Sequence, residues 1–182
     1  MERSPLQRQE SGEAVRPARP GLQVGDRETT NMEIDPELEP VLEKRGIKTE
    51  DIHKIVAAPE GQKNSFKNTT TGHFLVYSRP SHTTYWVEYG RENNRYRIYR
   101  AYSHRMEVLE GFNLPAKVNQ SFPEWLCTKC GIALELATVK LTYLEETFAA
   151  ETPACPSCQR VLVREDDAVK KMALAEKMLE DK

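Results

Sequence analysis

The four cysteines of this 182-residue chain stand in two pairs, Cys127-Thr-Lys-Cys130 and Cys155-Pro-Ser-Cys158, with residues 131–154 between them. A two-residue gap lets one tight turn aim both sulfurs at a common point. Two such turns can set four thiolates tetrahedrally around a single metal ion. Gly131, directly after the first pair, can adopt the positive φ that such a turn often needs. Pro156 fixes its own φ inside the second. Cys127, Cys130, Cys155 and Cys158 are therefore the candidate metal ligands.

Two other uses of paired thiols compete with this one. Disulfides persist in oxidising compartments. Residues 1–10 contain no apolar run like that of a secretory signal, and no stretch approaches the length of a transmembrane helix. The expectation is a cytoplasmic chain with reduced thiols. A redox dithiol of the thioredoxin kind would open a helix after a strand, whereas Arg160-Val-Leu-Val-Arg164 after Cys158 reads as a strand. Zinc and a single iron share the all-thiolate tetrahedral geometry. The approach to the second pair, Phe148 and Pro153 before Cys-Pro-Ser-Cys, resembles rubredoxins. Ile132 replaces the aromatic that rubredoxins carry after Cys-Gly, and Gln159 replaces their glycine. Zinc is expected, with iron as the alternative. Four cysteines close the coordination sphere that a catalytic zinc leaves open. No nucleophile–base pair or phosphate loop is evident, and His53, His73, His82 and His104 lack ligand spacing. An enzyme is not expected.

The elements that must position these cysteines are less plainly written. Hydrophobic residues make up 38% of the chain, charged residues 30%, and the net charge is −2. That implies a modest core with polar ends and gives no global argument for nucleic acid or an anionic membrane. Residues 1–32, with Pro5, Pro17 and Pro20 and no apolar period, read as a disordered tail. Residues 34–58 predict two short helices. Asp35 and Pro36 open the first, Gly46 ends it, and Thr49 caps a second that carries Ile52, Ile55 and Val56 on one face. His73–Tyr77, Thr83–Tyr89 and Arg95–Tyr102 predict three antiparallel strands. The resulting fold class is α+β: a small antiparallel meander with two short helices over 33–118, then a four-cysteine ribbon over 119–182. Val139–Leu144 and Val161–Val163 supply strands of the ribbon. A C-terminal helix carries Met172, Ala175 and Leu179 on one face and offers a surface for a protein partner.

One local charge bias needs weighing. Six arginines stand against Glu88 and Glu92 in residues 79–105, and Arg95, Arg97, Arg100 and Arg105 interleave with Tyr96, Tyr99 and Tyr102. Cations for phosphates and rings for bases are what a single-stranded nucleic-acid platform uses. The plainer reading is a half-exposed hairpin with an aromatic core face, which ranks nucleic acid third among the functions. Tyr102-Ser-His104-Arg-Met106 reads either as an anion pocket or as a strand end whose polar side chains cap backbone groups.

From about residue 47 onward the chain resembles a small bacterial family found mainly in anaerobes. The shared motifs are Thr84 to Tyr89, Ala101 to Met106, Cys127 to Gly131, Val139 to Leu144, Cys155 to Cys158 and Leu179 to Lys182, in that order. The members of that family are described as predicted redox or metal-binding proteins. They tend to be encoded near molybdenum-dependent aldehyde or xanthine oxidoreductases. The resemblance implies an accessory or electron-transfer role beside such an enzyme. This chain departs from the pattern at Gln159, where glycine is typical, and in the tail before residue 32.

Overall fold

The computed structural model describes residues 31–58, 64–93, 95–114 and 121–181. The tail expected over 1–32 falls outside them except for Asn31 and Met32, which open the first strand. That strand, β1 (Asn31–Ile34), is followed by α1 (Glu39–Arg45) and α2 (Thr49–Val56). Both expected helices are present, but neither starts at the cap read from the sequence: α1 begins at Glu39 after a turn over residues 36–38, and α2 begins at Thr49 itself with Lys48 at its N-cap. Asp35 accepts the Glu37 N–H at 3.0 Å, and Pro40 sits in the first turn of α1, where its missing N–H costs nothing. Gly46 ends α1 at φ 66°, and the Ile47 N–H reaches back to the Leu42 carbonyl at 3.0 Å. This is the six-to-one bond of a glycine-terminated helix, with Ile47 buried beside it. Ile52, Ile55 and Val56 form the buried face of α2.

The rest of the architecture corrects the α+β expectation. The described strands form one mixed, mainly antiparallel sheet of nine: β2 (Asn64–Asn68), β3 (Phe74–Ser78), β4 (Thr84–Glu92), β5 (Arg95–His104), β6 (Glu107–Leu114), β7 (Ser121–Cys127), β8 (Ala133–Tyr143) and β9 (Glu146–Ala154), with β1. Their order is β1-β5-β4-β3-β2-β7-β8-β6, and β9 pairs with β8. Only β1 on β5 is parallel. The expected three-stranded meander is the β3–β5 centre of this sheet. It is flanked on one side by β2 and β7 and on the other by β1. Two strands from before residue 118, β2 and β6, pair with β7 and β8 from after it, so the sheet runs straight across that boundary. Expected strand Val139–Leu144 is the second half of the longer β8, and Val161 makes only an isolated bridge with Ala154.

Burial on both faces explains why Tyr85, Trp86 and Val87 of β4 run consecutively instead of alternating with polar residues. Val87 and Tyr89, with Val76, Ile98 and Ala101, pack under α1 and α2. Trp86 faces the other way, into a second cluster with Phe66, Tyr102, Met106, Leu134, Val139 and Val161 to Val163. The helical segment that closes this second core runs from a π-helical stretch, Asp167–Met172, into α3 (Ala173–Glu180).

The tether between α3 and the sheet is the segment read as an anion pocket or a capped strand end. Both readings describe part of it. The backbone N–H groups of Arg105 and Met106 donate to Glu176 Oε1 at 2.7 and 2.8 Å, so the anion is the chain's own carboxylate. Glu176 is 4% exposed. The Arg105 guanidinium binds Glu176 Oε2 at 3.2 Å and reaches Glu180 as well. Hydrogen bonds to a buried charged acceptor contribute about 1.5–3 kcal/mol each when removed. Replacing Glu176 by Ala would strand two backbone donors and an arginine. It is expected to lower unfolding stability by about 3 kcal/mol and to speed amide exchange through Ala173–Glu180, readable by hydrogen-exchange mass spectrometry. Wild-type exchange in α3 would refute the tether.

Candidate metal centre

Strand pairing brings the two cysteine pairs together. β7 lies on β2 with Cys127 opposite Phe66, which places the first pair at the end of a strand buried in the sheet. Thr128 locks it there, donating from Oγ1 to the Ser65 carbonyl at 2.8 Å. The chain turns and enters β8 at Ala133, which pairs back with Leu126. The β8–β9 hairpin then runs out and returns, so that Ala154 pairs with Glu135. Cys155 therefore emerges beside the first turn.

The two turns are built alike. The Cys127 N–H bonds the Ile132 carbonyl at 2.9 Å, and the Gly131 N–H bonds the Cys127 carbonyl at 2.7 Å. At the same offsets, the Cys155 N–H bonds the Arg160 carbonyl at 2.8 Å and the Gln159 N–H bonds the Cys155 carbonyl at 2.9 Å. The closing residue is left-handed in both, Gly131 at φ 69° and Gln159 at φ 60°. Glycine takes that conformation freely, whereas an L side chain there costs about 1–2 kcal/mol. Gln159 is thus tolerated in a turn whose geometry calls for glycine.

The four Sγ atoms lie within 4.8 Å of one another, and all four are free thiols. Sulfurs at about 2.3 Å from a tetrahedral centre stand about 3.8 Å apart, and Cys127 Sγ lies 3.6 Å from Cys158 Sγ, across the two turns. The donor set and its spacing fit one tetrahedral ion. The first cysteine of each pair, Cys127 and Cys155, is buried, while Cys130 and Cys158 are half-buried, so the cluster has an inner face in the core and an outer face near solvent. Burial pushes the Cys127 thiol up to about 12 and raises Cys155. Burial also opposes ionisation of Cys158, but the Arg160 N–H and the neighbouring thiols outweigh it and hold that thiol below its usual range. A cation at the centre would remove the cost of the buried thiolates. Phe122 and Trp125, half-buried, pack against the second core.

The arginine and tyrosine hairpin is occupied internally. Arg97 faces Asp35 at 3.6 Å, and Arg100 binds Glu88 at 2.8 Å and Glu165 at 3.3 Å. Glu165 also pairs with Arg45 of α1 at 2.7 Å. Tyr102 is buried and donates to the Val163 carbonyl at 2.7 Å, and Tyr99 stacks on His73 with ring centroids 4.0 Å apart. Glu88 and Glu176 are the structural residues that sequence reasoning missed. A glutamate in a strand or an amphipathic helix reads as solvated, and only the tertiary partners reveal otherwise.

His104 has a defined role. The Trp86 indole donates to its Nε2 at 3.1 Å. Nε2 is therefore the acceptor and Nδ1–H donates to the Met106 carbonyl at 2.8 Å. It is a neutral imidazole without metal-ligating partners.

Residues 123–182 match the model of a domain of unknown function, DUF7479. That stretch spans β7 after its first two residues, both cysteine pairs, the β8–β9 hairpin and α3. No curated protein and no solved structure matches the chain. Among the described residues, no helix is long and apolar enough to cross a membrane.

Burial lowers His104 from 6.5 to about 4, against the opposing pull of the Met106 carbonyl. The unfolded chain therefore binds one more proton than the folded chain between these values. This contribution to stability is complete above pH 6.5 and is lost as pH falls towards 4, at about 1.4 kcal/mol per pH unit. Urea unfolding of wild type and His104→Asn at fixed metal concentration should show the stability gap narrowing by roughly 3 kcal/mol from pH 7 to pH 4. The subtraction cancels protonation of the cysteines, which both proteins share. A constant gap would mean that His104 is not held neutral.

Proposed function

We propose that this protein is a non-catalytic metal-binding accessory protein whose four cysteines hold one structural zinc ion. The observation that carries the reading is the pair of matching turns that present four free thiols at tetrahedral spacing. A closed four-thiolate sphere has no position for substrate or water, which favours a structural ion over a catalytic one. Four free thiols also suit a reducing cytoplasm. The role beside a redox system of the molybdenum-oxidoreductase type rests on the family resemblance and makes the partner a protein. Leu174 and Met178, 60% and 62% exposed on α3, are apolar side chains that such a partner can cover.

A rubredoxin-like one-electron iron centre at the same cysteines is the second reading. The half-buried Cys130 and Cys158 favour it, because an electron carrier needs ligands near its surface. Elemental analysis and a visible spectrum of protein purified without added metal separate the two. One zinc per chain and no colour is the expected result. One iron per chain, with thiolate-to-iron charge-transfer bands that bleach on reduction, would replace the structural reading with the electron carrier. No bound metal, with four titratable thiols, would overturn both.

A further inference from the structure

The second core is not filled. Between the β8–β9 hairpin and the helical segment lies a half-open cavity of about 640 Å³, within the range of small-molecule sites, about 300–1,000 Å³. None of the four cysteines lines it, so it stands apart from the metal reading. Val139, Leu141 and Phe148 form one wall; Met106, Met172 and Ala175 form much of the opposite one. A body that fits against these walls is apolar.

The polar groups gather at the rim. Asp167 accepts from Arg164 Nε and from Lys171 Nζ, both at 2.7 Å. One carboxylate is thus shared by two cations, and each cation keeps further N–H donors. Glu151 lines the cavity from β9, but it is exposed and can turn to water. With Asp167 set against both Arg164 and Lys171, this end of the rim keeps one net positive charge. Its carriers are positioned by the π-helical stretch Asp167–Met172. That stretch sends Lys171 to the rim, 75% exposed at its side chain, and Met172, buried, into the wall. π-helical turns cluster at functional sites because the wider turn re-aims side chains in this way.

We infer that this cavity binds a medium-chain carboxylic acid, its apolar body between the hairpin and Met172 and its carboxylate at Lys171 and Arg164. The walls supply burial, roughly 25 cal/mol per Å² of apolar surface covered. The rim supplies charge-assisted hydrogen bonds that an alcohol of the same length does not gain.

The probe is decanoate, with decan-1-ol as its uncharged counterpart, titrated into the full-length protein with methyl-labelled methionine. The Met106 and Met172 methyl resonances should shift with saturation, while Met178, exposed on α3, should not. Lys171→Met should weaken decanoate about tenfold, the loss of one charge-assisted contact, and leave decanol within twofold. Ala150→Phe, which projects a ring from the cavity lining, should weaken both. Its melting temperature, and unchanged Met178 shifts, check that it folds. No shift at Met106 and Met172, or equal shifts at Met178, would overturn the site. Full decanoate affinity in Lys171→Met would overturn the assignment of the ligand as a carboxylate.

Discussion

Strand β8 is the element on which the rest depends. Along one edge it carries β7 and then β6, and along the other it carries β9 over nearly its whole length. The first cysteine pair joins β7 to β8, and the second follows β9. The separation of the pairs in space is therefore set by hydrogen-bond register, with Leu126 on Ala133 at one side and Glu135 on Ala154 at the other. A shift of one residue in the β8–β9 ladder would turn every side chain to the opposite face and carry Cys155 and Cys158 away from Cys127. The apolar alternation of Val139 and Leu141 towards the core and the return of Ala150 and Phe148 opposite them resist such a slip.

The cluster is also tied into the sheet rather than hung from it. Cys127 is fully buried next to Phe66. From Phe66 a group of stacked rings extends through Tyr77 and Trp86 to Tyr102. Tyr102 donates to the Val163 carbonyl just after the second pair, and Thr152 in β9 donates to the Leu162 carbonyl. Glu176 then fixes α3 to the end of β5. In small zinc modules the ion supplies on the order of 10 kcal/mol of folding free energy. Here apolar burial under α1, α2 and α3 holds much of the fold, and an ion at the four cysteines would add a link between β7 and the chain after β9.

Sequence made the site legible and left most of the sheet hidden. Two-residue spacing, Gly131 and Pro156 single out four candidate ligands because a tetrahedral thiolate site leaves few alternatives. The end of α1 is equally explicit at Gly46. β3, β4 and β5 stand out by their β-branched and aromatic residues. By contrast, β9 is Glu146-Thr-Phe-Ala-Ala-Glu-Thr-Pro-Ala154. It is an edge strand with one glutamate besides its first residue and a proline, and its pairing with β8 outweighs its weak propensity. β2 is short and polar and β7 is interrupted by Pro123, and each is a strand because it lies between two others in the ladder. The parallel β1 pairs with β5 across 64 residues of sequence, from Asn31 to Arg95, which no local pattern encodes. His104 and Glu176 belong to the same class: their chemistry is ordinary until burial and a specific partner define it.

The central claim is that four cysteines close around one ion. X-ray absorption at the metal edge of the purified protein tests it directly. The account predicts a first shell of four sulfurs at about 2.3 Å with no nitrogen or oxygen. A shell containing light-atom ligands, or fewer than four sulfurs, would contradict it.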